Sequence, residues 1–396
     1  MTFVLPLNSA SDRPVPFIDL VPQFKSMSAE VMAAVERVFA EQKFIMGDEV
    51  VALEEEIAAY CDSRFAIGCN SGTDALIIAL QALDVGEGDE VITTPFSFFA
   101  TASSICRTGA TPVFVDIDPE TFNLDVEAVE DAITPHTKAI MPVHLFGQCC
   151  EMEALWRLAQ KYHLHIVEDA CQAIGAEYQG RRTGVLGSVG CFSFFPTKNL
   201  GGAGDGGMMT TDDPDLVGKL KRLRVHGDVG QYEHLDLGMN SRLDALQATV
   251  LRVKLKYLEQ WSAARQNNAR RYQEMFRQEG ILDTITLPKI SHGCRHVFNQ
   301  YCIRIDQGRR DTVMQQLKAA KVGCAVYYPK PLHLQTCFKH LGYEQGQFPQ
   351  AEAASKEILA LPSYPELPIA DQERVVECLS RICRDLRQSQ PVRRAA

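Results

Sequence analysis

Ser193 to Gly207 reads SFFPTKNLGGAGDGG: the end of a strand-like run, then a single lysine, Lys198, then a run of glycines. Gly202, Gly204 and Gly207 fit GxGxxG, the spacing of a dinucleotide-binding turn. Such a turn follows directly on a strand and opens a helix. Here Pro196-Thr197-Lys198-Asn199 stands before the glycines and GMMTTDD follows them, so the dinucleotide reading is set aside. The lysine needs another explanation.

Working outward, short apolar runs alternate with helix-length amphipathic stretches: FAIGC then SGTDALIIALQAL, PVFVDI then DVEAVEDAI, KAIMPVHL then CEMEALWRLAQKYH, then LHIVED. The runs are too uniformly apolar to face water, which predicts an α/β fold with a mostly parallel sheet covered by helices on both faces. At 396 residues the chain exceeds what one core usually serves, so two domains are expected. We place the large domain at 15–255 and a smaller C-terminal α+β domain at 256–390. A long helix, about 242–280, is expected to link them, because apolar residues recur there at three- and four-residue steps. In the small domain YCIRI and CAVYY read as strands, and 311–320, 351–360 and 371–387 as helices; the final QSQPVRRAA is expected to fray.

Composition narrows the function. An apolar fraction of 46% with 23% charged residues is ordinary for a globular chain, and no apolar run approaches a membrane span. The opening MTFVLPLNSASDRP lacks the basic start and apolar core of a secretory signal. A net charge of −10 with no basic tract argues against nucleic acid as partner. Thirteen cysteines, with no CxxC pair, sit in apolar segments as reduced thiols do, which points to the cytoplasm; no metal-ligand pattern is present.

Four pieces call for one account. In Asn70-Ser71-Gly72-Thr73-Asp74 a strand gives way to a helix whose first amides could hold a phosphate, or merely be capped by a hydroxyl. In IVEDACQA, Glu168 and Asp169 follow a buried strand, where α/β sheets collect ligands, although surface turns are also rich in acids. Lys198 lies 29 residues after Asp169 and five after Ser193; a solvated lysine is the plain alternative. Asn240 and Arg242, in GMNSRLDALQA, stand at the start of the long helical stretch and could simply cap it.

Pyridoxal 5'-phosphate (PLP) uses all four. It needs a lysine amine for its aldehyde, a carboxylate for its ring nitrogen, a helix N-terminus for its phosphate and an aromatic face against its ring. In order and spacing the sequence resembles the DegT/StrS-type nucleotide-sugar aminotransferases, of PLP-dependent fold type I, from about Ile18 to Arg384. The resemblance implies Gly72 and Thr73 at the phosphate, Phe98 of TPFSFFAT stacked on the ring, and Asp169 on the ring nitrogen. It also implies Gln172 facing the ring or its phenolic oxygen, Ser193 as a phosphate ligand and Lys198 as the lysine bonded to the cofactor. Asn240 and Arg242 match the family's NxR, which reaches into a neighbouring subunit's site, so a homodimer with shared sites is implied.

By that resemblance the reaction moves an amino group, from glutamate, onto a nucleotide-linked keto sugar. Relatives that act as dehydratases have histidine in place of the lysine, and Lys198 is intact here. A non-catalytic PLP-binding regulator of the same fold is the reading from another class. VYYPKPLHLQTCF, Val326 to Phe338, resembles the segment lining the pocket of members that act at the sugar 3-position, with Tyr328 and His333 as candidate sugar contacts. Equally, Pro329 and Pro331 could only shape a loop. A 3-keto hexose is favoured over a 4-keto one.

Overall fold

The computed structural model describes residues 13–306 and 308–388. The readings of the first twelve residues as no signal and of the last eight as frayed lie outside it. In chain order the strands of the large body are β1 (Phe65–Cys69), β2 (Glu90–Thr93), β3 (Thr111–Phe114), β4 (Thr137–Ile140), β5 (His165–Asp169), β6 (Glu177–Tyr178), β7 (Arg181–Arg182), β8 (Val189–Ser193) and β9 (Gly207–Thr211). The rest are β10 (Ile285–Thr286), β11 (Cys294–Arg295), β12 (Tyr301–Ile305) and β13 (Ile358–Leu361). A seven-stranded sheet runs β1-β9-β8-β5-β4-β2-β3. In it β9 is antiparallel to both neighbours and every other pairing is parallel, as the uniformly apolar runs predict.

Helices α2 (Asp48–Cys61), α3 (Gly72–Ala82), α4 (Ala100–Arg107), α5 (Met152–Tyr162) and α6 (Pro214–Leu223) cover this sheet, and α1 (Val21–Glu41) stands outside that layer. Helix α3 lies over β8 and β9 and packs against α4 and α6, and most of its residues from Gly72 to Ala82 are buried. That explains why GTDALIIALQA is apolar almost all round. The amphipathic DVEAVEDAI forms only a short turn, Glu130–Ala132, instead of the helix its pattern suggests.

The expected 242–280 helix is two helices, α7 (Ala245–Leu255) and α8 (Leu258–Gln278). Neither proline nor glycine marks the break at Lys256-Tyr257. The Tyr257 N–H bonds the Lys254 carbonyl at 3.0 Å, a tighter turn than the helix, while its ring stacks on Trp261 and its hydroxyl donates to Glu30 of α1. The apolar faces serve different bodies: α7 packs on α1 and α2, and α8 packs on α11 (Ile369–Gln388). Periodicity alone does not reveal such a change of partner.

The smaller body joins α8, α9 (Arg310–Ala319), α10 (Pro349–Glu357) and α11 to the antiparallel sheet β10-β12-β13 around its own core of Tyr272, Phe276, Ile303, Leu317 and Leu379. YCIRI is β12 as expected, whereas CAVYY makes only one bridge, Ala325 to Ala360. The stretch 351–360 is helix only to Glu357, then β13. A further cluster, with Phe96, Phe114 and Phe146 on one side and Leu332, Phe338 and Phe348 on the other, packs the two bodies together beside the sheet edge.

Candidate active site

Sheet register assembles the site. Gly207 of β9 is opposite Cys69 of β1 on one side and Ser193 of β8 on the other, and Asp169 of β5 is opposite Cys191 of β8. The ends of β1, β5 and β8 and the start of β9 therefore share one edge, where open α/β sheets collect ligands. Lys198 lies in the β8–β9 connection above that edge.

At the start of α3 the backbone of Ser71 is extended, and its Oγ accepts a hydrogen bond from the Asp74 N–H at 3.1 Å. Gly72 and Thr73 contribute first-turn amides, which have no partner within the helix and carry its positive end. Glycine at 72 is needed for close approach: a Cβ there would stand 2.7 Å from Ser193 Cβ and 2.8 Å from Cys171 Sγ. One at Gly207 would stand 2.4 Å from the Ser71 carbonyl oxygen. The glycines after Lys198 thus let the connection pack against the α3 turn.

Strand alternation separates the two acids that the sequence presents together. Asp169 shares a face with Val167, which packs in the core under α3, whereas Ile166 belongs to the opposite core. On the α3 side Asp169 Oδ2 accepts from Thr101 Oγ1 at 2.7 Å, and Thr101 Oγ1 lies 2.8 Å from Ser97 Oγ. With the Thr101 proton on Asp169, Ser97 is the donor to Thr101. The Cys171 N–H reaches Oδ1 at 3.3 Å. Glu168, on the other face, is fully buried and accepts from the Gly184, Leu186 and Gly187 amides at 2.7–2.9 Å and pairs with His144 Nε2 at 3.1 Å. Its oxygens are used up in holding the 184–187 loop.

The Lys198 N–H bonds the Phe195 carbonyl at 2.8 Å, which fixes the turn. Burial lowers the pKa of its ammonium below the usual lysine value, and Cys171 and Asp169 oppose that shift. The amine is therefore neutral, and nucleophilic, more often than a solvated lysine. Next to it, the buried Asn199 donates from Nδ2 to the Val297 carbonyl at 3.1 Å.

Gln172 is held at both ends of its amide. Its Oε1 accepts from the Phe146 N–H at 2.8 Å and its Nε2 donates to the Tyr328 hydroxyl at 2.9 Å. Tyr328 therefore reaches the site from the smaller body, and CAVYY leaves the sheet to deliver it. Its ring lies 6.4 Å from that of Phe98. Phe98, at 57% exposure, presents a large apolar face to solvent. His333 departs from expectation. A short turn after Pro331 carries it inward, where it is 2% exposed, with Nε2 3.3 Å from Glu352 Oε1 and its ring against Phe348. It is walled off from solvent in this structure, and its Nδ1 is buried without a partner among the described residues.

Asn240 and Arg242 precede the helix that begins at Ala245, so neither caps it. Asn240 is exposed, and Arg242 makes no hydrogen bond among the described residues, its Nε being buried without a partner. Sequence reading missed Thr101, whose signal is the i, i+4 pair Ser97 and Thr101 flanking Phe98. It also missed Ser241, which has no local signal. Among the described residues no group of metal-ligating side chains could hold an ion.

A model of the DegT/DnrJ/EryC1/StrS aminotransferase family matches residues 25–380. The chain belongs to that family. It is 50% identical to a "Pleiotropic regulatory protein" of Geobacillus stearothermophilus, over 93% of this chain and 99% of that one. It is 42% identical to a UDP-N-acetyl-3-dehydro-alpha-D-glucosamine 3-aminotransferase of Acidithiobacillus ferrooxidans, over 93% and 97%. Among solved structures, DesV of S. venezuelae in complex with a ketimine intermediate superposes with a TM-score of 0.90 at 40% identity, over 93% and 98%. Solved relatives hold the cofactor as pyridoxamine phosphate or PLP.

This protein is a PLP-dependent aminotransferase. Its residues fit the group. A lysine of lowered pKa, a hydroxyl-braced carboxylate, an exposed aromatic face and a glycine-lined helix start meet at one sheet edge. Among the described residues no helix is long and apolar enough to cross a membrane.

Proposed function

We propose that this aminotransferase moves an amino group from glutamate to a nucleotide-linked 3-keto hexose in amino-sugar biosynthesis. It does so as a cytoplasmic homodimer with shared sites. The observation that carries the substrate is the 42% identity, over nearly the full length, to a relative named for a 3-dehydro nucleotide sugar. The donor rests on the family resemblance.

When bound, PLP supplies an aldehyde that carries the amino group and a ring that stabilises negative charge on the carbon losing its proton. In this reading the α3 amides of Gly72 and Thr73, with Ser193, hold the phosphate, and Phe98 covers the ring face. Asp169, kept in place by Thr101, holds the proton on the ring nitrogen. Gln172, anchored on the Phe146 amide, faces the ring's phenolic oxygen or orients the Tyr328 hydroxyl toward substrate. Lys198 would bond the cofactor at rest; displaced from that bond by the donor's amine, its free amine would take the proton from the donor α-carbon in one half-reaction and supply a proton to the sugar carbon in the other. Arg242 offers its unpartnered guanidinium to the diphosphate.

Support for a second copy comes from the surface. Phe24, Met32 and Phe39 of α1 are about half exposed, and Tyr232 and Leu237, in the loop leading to Asn240, are each 96% exposed. Large apolar side chains left this exposed ordinarily meet a partner. Two main cores support a division into two bodies, but they cross the expected bounds of 15–255 and 256–390: Val15 packs with the smaller body's core, and Leu258 and Val297 pack with the larger one's. All thirteen cysteines are unpaired, in keeping with a reducing compartment.

The 50% identical relative named as a regulator favours one other reading, a regulator that binds PLP without turnover. Adding glutamate and watching the spectrum separates the two: an enzyme shifts its cofactor to the pyridoxamine form, and a binder does not. Catalytic efficiency on matched 3-keto and 4-keto nucleotide sugars then tests the regiochemistry. A clear preference for the 4-keto compound would overturn it.

A further inference from the structure

Asn240 is exposed, but its neighbour Ser241 is fully buried. The Ser241 hydroxyl accepts from the Asn70 N–H at 3.2 Å and donates to Asp74 Oδ2 at 2.7 Å. Both partners belong to the helix start that holds the phosphate in the reading above: Asn70 precedes Ser71, and Asp74 is in the first turn of α3. A carboxylate so near a phosphate would repel it, and the Ser241 proton meets one of its oxygens.

The backbone on either side is fixed as well. Met239 and Ser241 donate from their N–H groups to the Leu223 and Arg224 carbonyls at 2.8 and 2.9 Å, and Arg224 NH1 donates to the Gly68 carbonyl at 2.7 Å. Leu243 packs so closely that a Cβ on Gly68 or Gly206 would stand 3.2 Å from its side chain. Residues 239–243 and the turn 68–74 are therefore one rigid piece. Its inner end faces the chain's own cofactor phosphate, and its outer end presents Asn240 and Arg242.

We propose that Ser241 is a positioning residue that couples the two sites of the dimer, so that the turn holding one subunit's cofactor sets Asn240 and Arg242 for its neighbour's site. The inference rests on the shared-site reading. Whatever orders the inner end orders the outer end too, and the coupling is reciprocal.

Hybrid dimers test it. One chain carries Lys198→Ala with a second substitution, and the other chain is intact. The only complete site is the intact chain's, and it takes Asn240 and Arg242 from the altered chain. PLP affinity of the apo-hybrid is followed at the absorbance of lysine-bound cofactor, which only that site gives, together with KM for the sugar nucleotide. Against the Lys198→Ala hybrid, adding Ser241→Ala to the altered chain should weaken PLP binding about tenfold and raise KM, within the usual range of coupling between sites. Asp74→Ala should do the same, and the two together should do no more than either alone. If Asn240→Ala in the altered chain impairs the site while Ser241→Ala and Asp74→Ala do not, the coupling is refuted and shared sites stand. If Asn240→Ala has no effect either, the shared-site reading falls and the proposal with it.

Discussion

Thr101 Oγ1, in the first turn of α4, lies 2.7 Å from Asp169 Oδ2 at the end of β5, and both side chains are buried. A buried carboxylate oxygen that loses its donor is left short of a hydrogen bond, at a cost of about 1–3 kcal/mol. Thr101→Val should therefore lower turnover about 10- to 100-fold, at about 1.4 kcal/mol per factor of ten. Thr101→Ser, which keeps the hydroxyl, should recover most of it. Equal loss in both variants would show that Thr101 acts by packing alone.

Glu168 and Asp169 are neighbours with opposite expected phenotypes. Glu168→Gln should lower the melting temperature, because the amide cannot accept from all three loop N–H groups and still pair with His144. Cofactor chemistry in the folded fraction should persist. Asp169→Asn should fold and keep some cofactor, yet lose most transamination, since a neutral amide does not hold the ring nitrogen protonated. Thermal melts beside half-reaction rates check the pair, and near-normal turnover in Asp169→Asn would contradict its role.

Gly72→Ala places a methyl 2.7 Å from Ser193 Cβ and 2.8 Å from Cys171 Sγ. Overpacking of this kind costs about 1–3 kcal/mol. The methyl must part the α3 turn from β8, where the phosphate is held in our reading. PLP affinity, measured by titrating the apoprotein, should fall about 10- to 100-fold. Unchanged affinity would move the phosphate elsewhere.

Burial lowers the Lys198 pKa below 10.5, so the unfolded chain holds the lysine proton to higher pH than the folded one. Two consequences share one sign. Stability of the apoprotein should rise with pH through the window just below 10.5, relative to Lys198→Ala. The rate at which apoprotein takes up PLP should climb with pH and level off before the value of a solvated lysine. A rate still climbing at that value would show an unperturbed amine.

The parts of the candidate site that the sequence displays are local. A strand that ends in an acid, a lysine flanked by strand and glycines, and NSGTDAL at a helix start each read from a few residues. What escaped depends on partners far along the chain: Thr101 meets Asp169 across 68 positions and Ser241 meets Asp74 across 167. The resemblance singled out Asp169 from Glu168, but the physical reason, its place on the face under α3, lies in the fold. The helix break at Tyr257 follows from a change of packing partner, and an apolar period is the same on both sides of it. The resemblance of its segment singled out His333, whereas Phe348 and Glu352, which bury it, lie beyond that segment.

Lys198 is the residue we propose to hold the cofactor. Borohydride reduction of the protein with bound PLP, followed by digestion and mass spectrometry, tests it most directly. The cofactor's mass should appear on the peptide containing Lys198 and vanish in Lys198→Ala, along with the near-visible absorption. The same mass on another lysine, or persisting unchanged in the variant, would show that a different residue holds the cofactor.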